Sequence, residues 1–360
     1  MKILYISGTY CPAIGGAELS AHTLLKYLKK NKKVEVLVIT NKNNSKGKYS
    51  NYDSIKIYGI NHKNRKKEIS RIISTFSPDF ILTQLMWSDV ALELAKVNSI
   101  KSILRVCKTP FGLDISGNSK YFPNIIISVS NSVKNYVRDN FKRDSFISPP
   151  AICFDSVDAK NKDSFNNKYI LMFNPLIRKG GKIFKKISKK LPNENFAVVP
   201  GWDILRNESG KFDNKLIKNI CKSLNTKYSN KVPNDVSFED CENVKVLKPS
   251  NDVKKIFKNV RLLCVPSVWD EALGRVSLEG FANGIPVLGS SVGGLKEQIE
   301  KGGYLITNYA DEISWITAIN KFDNKLFYET YAKKGKDYIR NNYKLNKIVD
   351  NFYDLLLKNF

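Results

Sequence analysis

Two glutamates, Glu271 and Glu279, stand with seven residues between them inside the run CVPSVWDEALGRVSLEGFANGIPVLG, residues 264–289. A carboxylate accepts two hydroxyl hydrogen bonds at once, and charge-assisted bonds are the strong ones. The surrounding residues predict a strand ending at Val265 and a turn at Pro266 and Ser267. Glu271 falls in the loop, Gly274 opens a helix, and Glu279 lies in the opening turns of that helix. Gly284 ends the helix and Pro286 starts the next strand. A helix start leaves N–H groups without intrahelical partners, and its dipole favours negative charge. A pyrophosphate is the obvious ligand for such an end. Taken alone, Glu279 would read as a favourable charge at a helix start, and Glu271 as a solvated loop acid.

Two further stretches carry candidate chemistry. Phe173 to Gly180 reads FNPLIRKG and places Arg178 and Lys179 in a loop after a strand. In a chain this basic, the pair also reads as an ordinary basic turn. Near the start, Gly15, Gly16, Ala17 and Glu18 form a loop before the first helix. Glycine there lets backbone approach a ligand closely, and the helix start favours anions.

Short apolar runs must hold these loops in place. They occur at 2–7, 34–39, 79–83, 102–106 and 125–129, with helix-like segments between them. A second series comprises Tyr169–Phe173, Phe196–Val199, Val244–Leu247, Leu262–Val265 and Pro286–Gly289. Short apolar strands alternating with helices predict parallel sheets covered on both faces. The polar stretch Asp155 to Lys168 is the natural linker. The expected fold is α/β: two doubly wound, Rossmann-like domains facing each other across a cleft. The first spans 1–160, the second 166–344, and the closing helix 345–360 is expected to pack back on the first. Ligands in such sheets bind beyond the carboxyl ends of the strands.

The string formed by Pro266, Ser267, Glu271, Gly274, Glu279, Gly284, Pro286 and Val287 resembles retaining glycosyltransferases of the GT4 type (group 1), which share the GT-B fold. GGLKEQI, Gly293 to Ile299, resembles the next loop of that family, with Glu297 matching its usual glutamate. The resemblance implies that Glu271 reaches hydroxyls of a donor sugar and that Glu279 binds the ribose of a nucleotide. Gly274, Arg275 and Val276, at the helix start between them, fall on the donor side.

FNPLIRKG resembles the family loop whose lysine neutralises the donor diphosphate, which places that role on Lys179. Asn174 stands where an arginine is usual, and Arg178 is the candidate for the missing charge. Gly15 and Gly16 resemble the family's GGAE loop and join the donor side. Nucleobase choice falls to backbone near Val199–Gly201 and Val246–Leu247. Many relatives have a histidine at the end of strand 102–106. Here Arg105 is present, either facing an anionic acceptor or the donor phosphate, or acting as a structural arginine.

The implied reaction moves a sugar from a nucleoside diphosphate, UDP ahead of GDP, to an acceptor hydroxyl with retention at the anomeric carbon. Retaining glycosidases use two carboxylates about 5 Å apart, and nothing in the sequence specifies such a pair. The resemblance implies instead that the acceptor arrives on the face the diphosphate leaves, with a phosphate oxygen as base. Lys179, Arg178 and the helix start then stabilise the leaving group. No cofactor and no metal is required by this scheme. Its partners are the nucleotide sugar and a saccharide or lipid-linked saccharide acceptor.

Composition narrows the classes. Two histidines, His22 and His62, exclude a His-rich metal site. Six cysteines show no CxxC spacing, so no zinc or redox motif is expected. No apolar stretch approaches the roughly 20 residues of a membrane span. MKILYIS opens a strand and lacks a small-residue cleavage site, so a cytoplasmic protein is expected.

Lys plus Arg number 59 against 34 for Asp plus Glu, a net charge of +25. That excess reads either as attraction to an anionic partner or as the Lys/Asn drift of an AT-rich genome. Its densest stretches, Lys26 to Lys33 and His62 to Lys67, would bring the first half to an anionic membrane surface during surface-polysaccharide assembly. A nucleic-acid binder is the alternative from another class, but it gives no reason for the 266–287 string. A GT-B epimerase, a phosphorylase or a non-catalytic sugar-nucleotide binder would keep the fold and change the activity.

Overall fold

The computed structural model describes residues 1–12, 15–42, 49–107, 121–160, 163–201, 236–250 and 252–359. The chain divides into two compact units. Unit 1 holds residues 1–152 and 345–360, and unit 2 holds 153–344.

Unit 1 opens with β1 (Lys2–Ile6), α1 (Gly16–Lys32) and β2 (Glu35–Asn41). A hairpin of β3 (Tyr49–Tyr52) and β4 (Ile55–Ile60) follows, then α2 (Arg65–Phe76), β5 (Phe80–Thr83), α3 (Ser88–Val97) and β6 (Lys101–Val106). β7 (Ile125–Ser128), α4 (Asn131–Phe141) and β8 (Phe146–Ile147) complete its first stretch. The sheet order is β3-β4-β2-β1-β5-β6-β7-β8, parallel except for the β3–β4 pair.

The central strands are buried on both faces, as the apolar run KILYI of β1 requires. Leu4, Ile6, Ile39, Ile81 and Ala91 belong to one buried cluster there. Ser130 caps α4 by accepting from the Val133 amide at 3.2 Å, a role its residue type favours.

Unit 2 repeats the plan. It contains β9 (Tyr169–Phe173), α5 (Gly181–Lys190), β10 (Phe196–Val199), β11 (Val244–Val246), the single turn α6 (Lys254–Phe257) and β12 (Val260–Val265). Then come α7 (Arg275–Ala282), β13 (Val287–Ser290), α8 (Gly293–Gly302), β14 (Tyr304–Ile306), α9 (Glu312–Lys321) and α10 (Lys325–Asn342). Its sheet is parallel throughout, in the order β11-β10-β9-β12-β13-β14. Phe184 and Ile187 of α5 face this sheet with Phe196, Leu262, Trp315 and Phe322, while the lysines of α5 stay on its outer side.

Setting the β3 insertion aside, both sheets follow the strand order 3-2-1-4-5-6 in their own sequence of strands, and unit 1 adds β8 as a seventh at the far edge. That order reverses direction at one place, between β1 and β5 in unit 1 and between β9 and β12 in unit 2. In open parallel sheets such a reversal is where ligands bind, beyond the carboxyl ends of the strands. The α/β reading with two Rossmann-like domains therefore holds. The sequence reading did not anticipate the β3–β4 hairpin or β14. YSNY of β3 is too polar to read as a strand by itself, and the YLI of β14 is too short.

The last helix, α11 (Leu345–Leu357), belongs to unit 1 and lies against α1. Lys32 binds Asp350 at 2.8 Å and sits 5.3 Å from the centre of the Tyr353 ring. Ile348, Val349, Phe352 and Leu356 form the buried face of α11.

Candidate active site

The carboxyl edge of the unit 2 sheet at this reversal carries the loop after β9 and the loop after β12. In the first, Asn174 takes a left-handed conformation with φ 56°. Its amide donates to the Val199 carbonyl at 2.7 Å, anchoring the loop to β10. Ile177–Lys179 form one turn of 3-10 helix, which turns the chain at Gly180 into α5. Gly180 has φ 86°, and a Cβ there would overlap the Pro266 carbonyl. The two loops are therefore in backbone contact, and the Val268 amide donates to the Arg178 carbonyl at 3.0 Å. This contact brings two distant segments of sequence to one place.

Glu271 is 6% exposed. Its Oε1 accepts from Lys179 Nζ at 2.5 Å and from Ser267 Oγ at 2.6 Å. Burial pushes its pKa up. The Lys179 charge and hydrogen bond and the Ser267 hydroxyl together outweigh that, and the nearby Trp269 indole adds to them. The net effect holds the carboxyl below its ordinary value. Its backbone is fixed as well, because the Gly294 amide at the start of α8 donates to the Glu271 carbonyl at 2.7 Å. Gly293, with φ 46°, lets that helix start come so close.

Trp269 gathers the two cations of the other loop. The Arg178 guanidinium lies 4.6 Å and the Lys179 ammonium 5.1 Å from its ring centre, contacts worth about 0.5–2 kcal/mol each according to how dry they are. Burial lowers the pKa of Arg178, with the Glu271 charge opposing it. Sequence reasoning passed over Trp269. The signal was one large aromatic in a polar loop two residues before Glu271.

Gly274, with φ 91°, turns the chain into α7. On the first full turn, Arg275 Nε binds Glu279 Oε1 at 2.7 Å, an i,i+4 pair largely out of solvent. Glu279 is 5% exposed, and Val276 beside it is half-buried. The helix is held from below by Asn283, which donates to the carbonyl of Val157 at 2.9 Å.

Asn174 also meets the loop after β10, since a Cβ on Gly201 would come within 2.8 Å of its Cγ. The Asn174 Oδ1 is buried without a hydrogen-bond partner. The Leu247 amide, just past β11, donates to the Val198 carbonyl at 2.8 Å. Glu271, Lys179, Arg178, Gly274, Arg275, Glu279, Asn174 and Leu247 thus all lie at the carboxyl edge of one sheet.

Gly15, Gly16 and Arg105 belong to unit 1. Gly15 precedes α1, where Glu18 accepts from the Thr9 hydroxyl at 2.7 Å. A side chain on Gly15 would collide with the Glu18 carboxylate. Arg105 is the next-to-last residue of β6 and is 2% exposed. Among the described residues, no group of three or more His, Cys, Asp or Glu is placed to hold a metal ion. No described helix is long and apolar enough to cross a membrane.

Comparison with known proteins agrees with this architecture. Residues 236–344 match the family Glycosyl transferases group 1. The chain resembles the group 1 glycosyltransferases of the GT-B fold. The uncharacterized glycosyltransferase MJ1178 of Methanocaldococcus jannaschii is 26% identical, with 94% of this chain and 93% of that one covered. Spore coat protein SA of Bacillus subtilis is 26% identical over 119 residues, 32% of this chain and 31% of its own length. Anabaena HepE, solved in complex with UDP and glucose, superposes with a TM-score of 0.75. It is 15% identical, with 99% of this chain and 100% of that one covered. At that identity the likeness speaks for the fold alone.

Proposed function

We propose that the protein is a retaining, GT4-like glycosyltransferase that moves a hexosyl group from a nucleoside diphosphate to an acceptor hydroxyl. One observation carries the reading: a lysine and a glutamate from separate loops meet at the switch point of a parallel sheet, beside a helix start. In this proposal Lys179 and Arg178 neutralise the donor diphosphate as it leaves. The opening of α7 at Gly274, Arg275 and Val276 adds its dipole to them.

Glu271 accepts hydroxyls of the donor sugar, and Glu279 accepts the ribose hydroxyls, exchanging its contact with Arg275. Asn174, Leu247 and the backbone around them border the nucleobase. In the same proposal Gly15 and Gly16 serve the donor side and Arg105 the acceptor side. The acceptor hydroxyl attacks the anomeric carbon on the face the diphosphate leaves, and a donor phosphate oxygen takes its proton. The bond to the sugar breaks and forms on one face, so the anomeric configuration is kept.

HepE was solved in complex with UDP and glucose, which supports a UDP-sugar over a GDP-sugar. A saccharide or lipid-linked saccharide acceptor at the inner face of a membrane, in surface-polysaccharide assembly, fits the net charge of +25. The test is a panel of UDP- and GDP-sugars, read as thermal stabilisation and as release of free nucleotide. A matching donor raises Tm and releases nucleotide faster once acceptor is added. If no nucleotide sugar moved Tm, the reading would fail.

A further inference from the structure

Buried polar atoms without partners collect at the carboxyl edge of the unit 1 sheet. Arg105 Nη1 donates to Gln84 Oε1 at 3.2 Å, and Nη2 donates to Ser20 Oγ at 2.7 Å. Both partners are neutral. No ion pair with a described carboxylate balances its charge, although the side chain is almost wholly buried. Its Nε–H has no acceptor, and neither has the Nε2 amide of Gln84, which is itself fully buried. The Tyr5 hydroxyl lies on the same face of the sheet, within reach of the Ser7 side chain. It lies within electrostatic reach of Arg105 and Glu18, and burial pushes its pKa well up, so it keeps its proton.

These side chains come from β1, the end of β5 and the end of β6, on either side of the point where the strand order reverses. Ser7 Oγ and the Gly8 amide tie the first two strand ends together, donating to the carbonyls of Gln84 at 3.0 Å and Met86 at 2.8 Å.

A guanidinium held only as scaffold would have its donors met by carbonyls or a carboxylate, because a buried charge without a counter-charge is costly. Here a cation without a counter-charge and the Gln84 amide stay unmet in one place, at the position where such sheets receive ligands. An oxyanion answers both: it supplies the missing charge and acceptor oxygens for the Arg105 Nε–H and the Gln84 amide.

We propose that this edge of unit 1 binds a phosphate or carboxylate carried by a substrate, with Arg105 as its principal ligand and Gln84 as a supporting donor. The inference rests on the glycosyl-transfer reading for what carries the anion, and not for the binding itself. Two sources share this chemistry. One is an acceptor bearing a phosphate, and the other is a donor sugar bearing a carboxylate, as a uronic acid does.

The test is calorimetric titration of the full chain with inorganic phosphate and, separately, with glucuronate. A background with both Lys179→Ala and Arg178→Ala removes the two cations of the other anion site proposed above. That variant is expected to bind one equivalent of each anion. Adding Arg105→Gln should weaken both at least tenfold, and Arg105→Lys should restore part of the loss. Unchanged affinity in a folded Arg105→Gln protein overturns the proposal. Should that variant not fold, Gln84→Leu replaces it, with weakened binding expected and unchanged binding overturning.

Transfer assays then separate the sources. A preference for UDP-glucuronate over UDP-glucose that collapses in Arg105→Gln places the anion on the donor. A preference for phosphorylated over neutral acceptor that collapses places it on the acceptor. If no donor supports transfer while the Arg105-dependent anion binding persists, the glycosyl-transfer reading fails and the anion site stands.

Discussion

Lys179 and Glu271 are joined at 2.5 Å across two loops separated by 92 positions in sequence. Each is the other's counter-charge, so any ligand that claims the lysine must offer the glutamate new donors. A sugar diphosphate does both, since its phosphates take the ammonium and its hydroxyls donate to the carboxylate.

Replacing Glu271 by Ala removes that acceptor. Transfer from the best donor is expected to fall at least about 100-fold, as when a preorganised contact to a reacting group is lost. The variant also leaves the partly exposed Lys179 without its carboxylate, at a cost of about 1–3 kcal/mol. Steady-state kinetics and urea unfolding read the two effects separately, and full turnover in a folded variant would remove Glu271 from the site.

The depressed pKa of Glu271 has a pH signature. Its folded value lies below the ordinary 4.5, so its contribution to stability is fully present above that pH and is lost as the pH falls through the folded value. The wild type should lose stability in acid more steeply than Glu271→Gln below about pH 4.5, and the two should run parallel above about pH 6. Denaturant unfolding across that range checks it, and equal slopes in acid would contradict the pairing.

His22 should act in the other pH window. It is buried, which lowers its pKa below 6.5, although its contact with Asp53 at 3.3 Å resists the shift. The unfolded chain therefore binds its proton first, and stability rises with pH through that region. His22→Gln is expected to flatten the stability profile of unit 1 between about pH 5 and pH 7. An unaltered slope would count against a neutral buried imidazole.

Trp269→Ala should weaken donor binding by roughly tenfold, because Arg178 and Lys179 both lose the ring they lie against. Trp269→Phe, which keeps an aromatic face, should recover most of it. Titration with UDP decides the matter. If the alanine variant binds like the wild type, the ring does not position the cations.

Gly180→Ala tests the loop junction itself. Alanine is strained at φ 86°, and its Cβ would overlap the carbonyl of Pro266. A loss of about 1–3 kcal/mol is expected, accompanied by lost donor binding. Thermal unfolding with and without nucleotide would measure both. A neutral result would mean that the junction yields easily.

The parts of the site written in consecutive residues were legible before the fold was known. The turn at Pro266 and Ser267, Glu271 in the loop and the helix start at Gly274 follow from local residue preferences and hydrophobic alternation, and the structure places them accordingly. The Arg275–Glu279 pair was also within reach, since its i,i+4 spacing announces it, yet the two were assigned separate ligand contacts. What the sequence could not carry is proximity between loops. Trp269 became a platform only once the β9 and β12 loops met. The neutral surroundings of Arg105 depend on α1, β5 and β6 converging.

The closing helix bears on how the chain is made. Unit 1 owns the first 152 residues and also the last 16, and the Lys32–Asp350 clasp joins its beginning to its end. During vectorial synthesis the whole of unit 2 emerges before Ile348, Val349, Phe352 and Leu356 exist to cover α1. The first half therefore waits unfinished on the ribosome, with an uncovered apolar surface, until Leu345–Leu357 emerge. A nascent chain stalled near residue 344 should therefore bind chaperones through its N-terminal half, while its C-terminal half already resists protease.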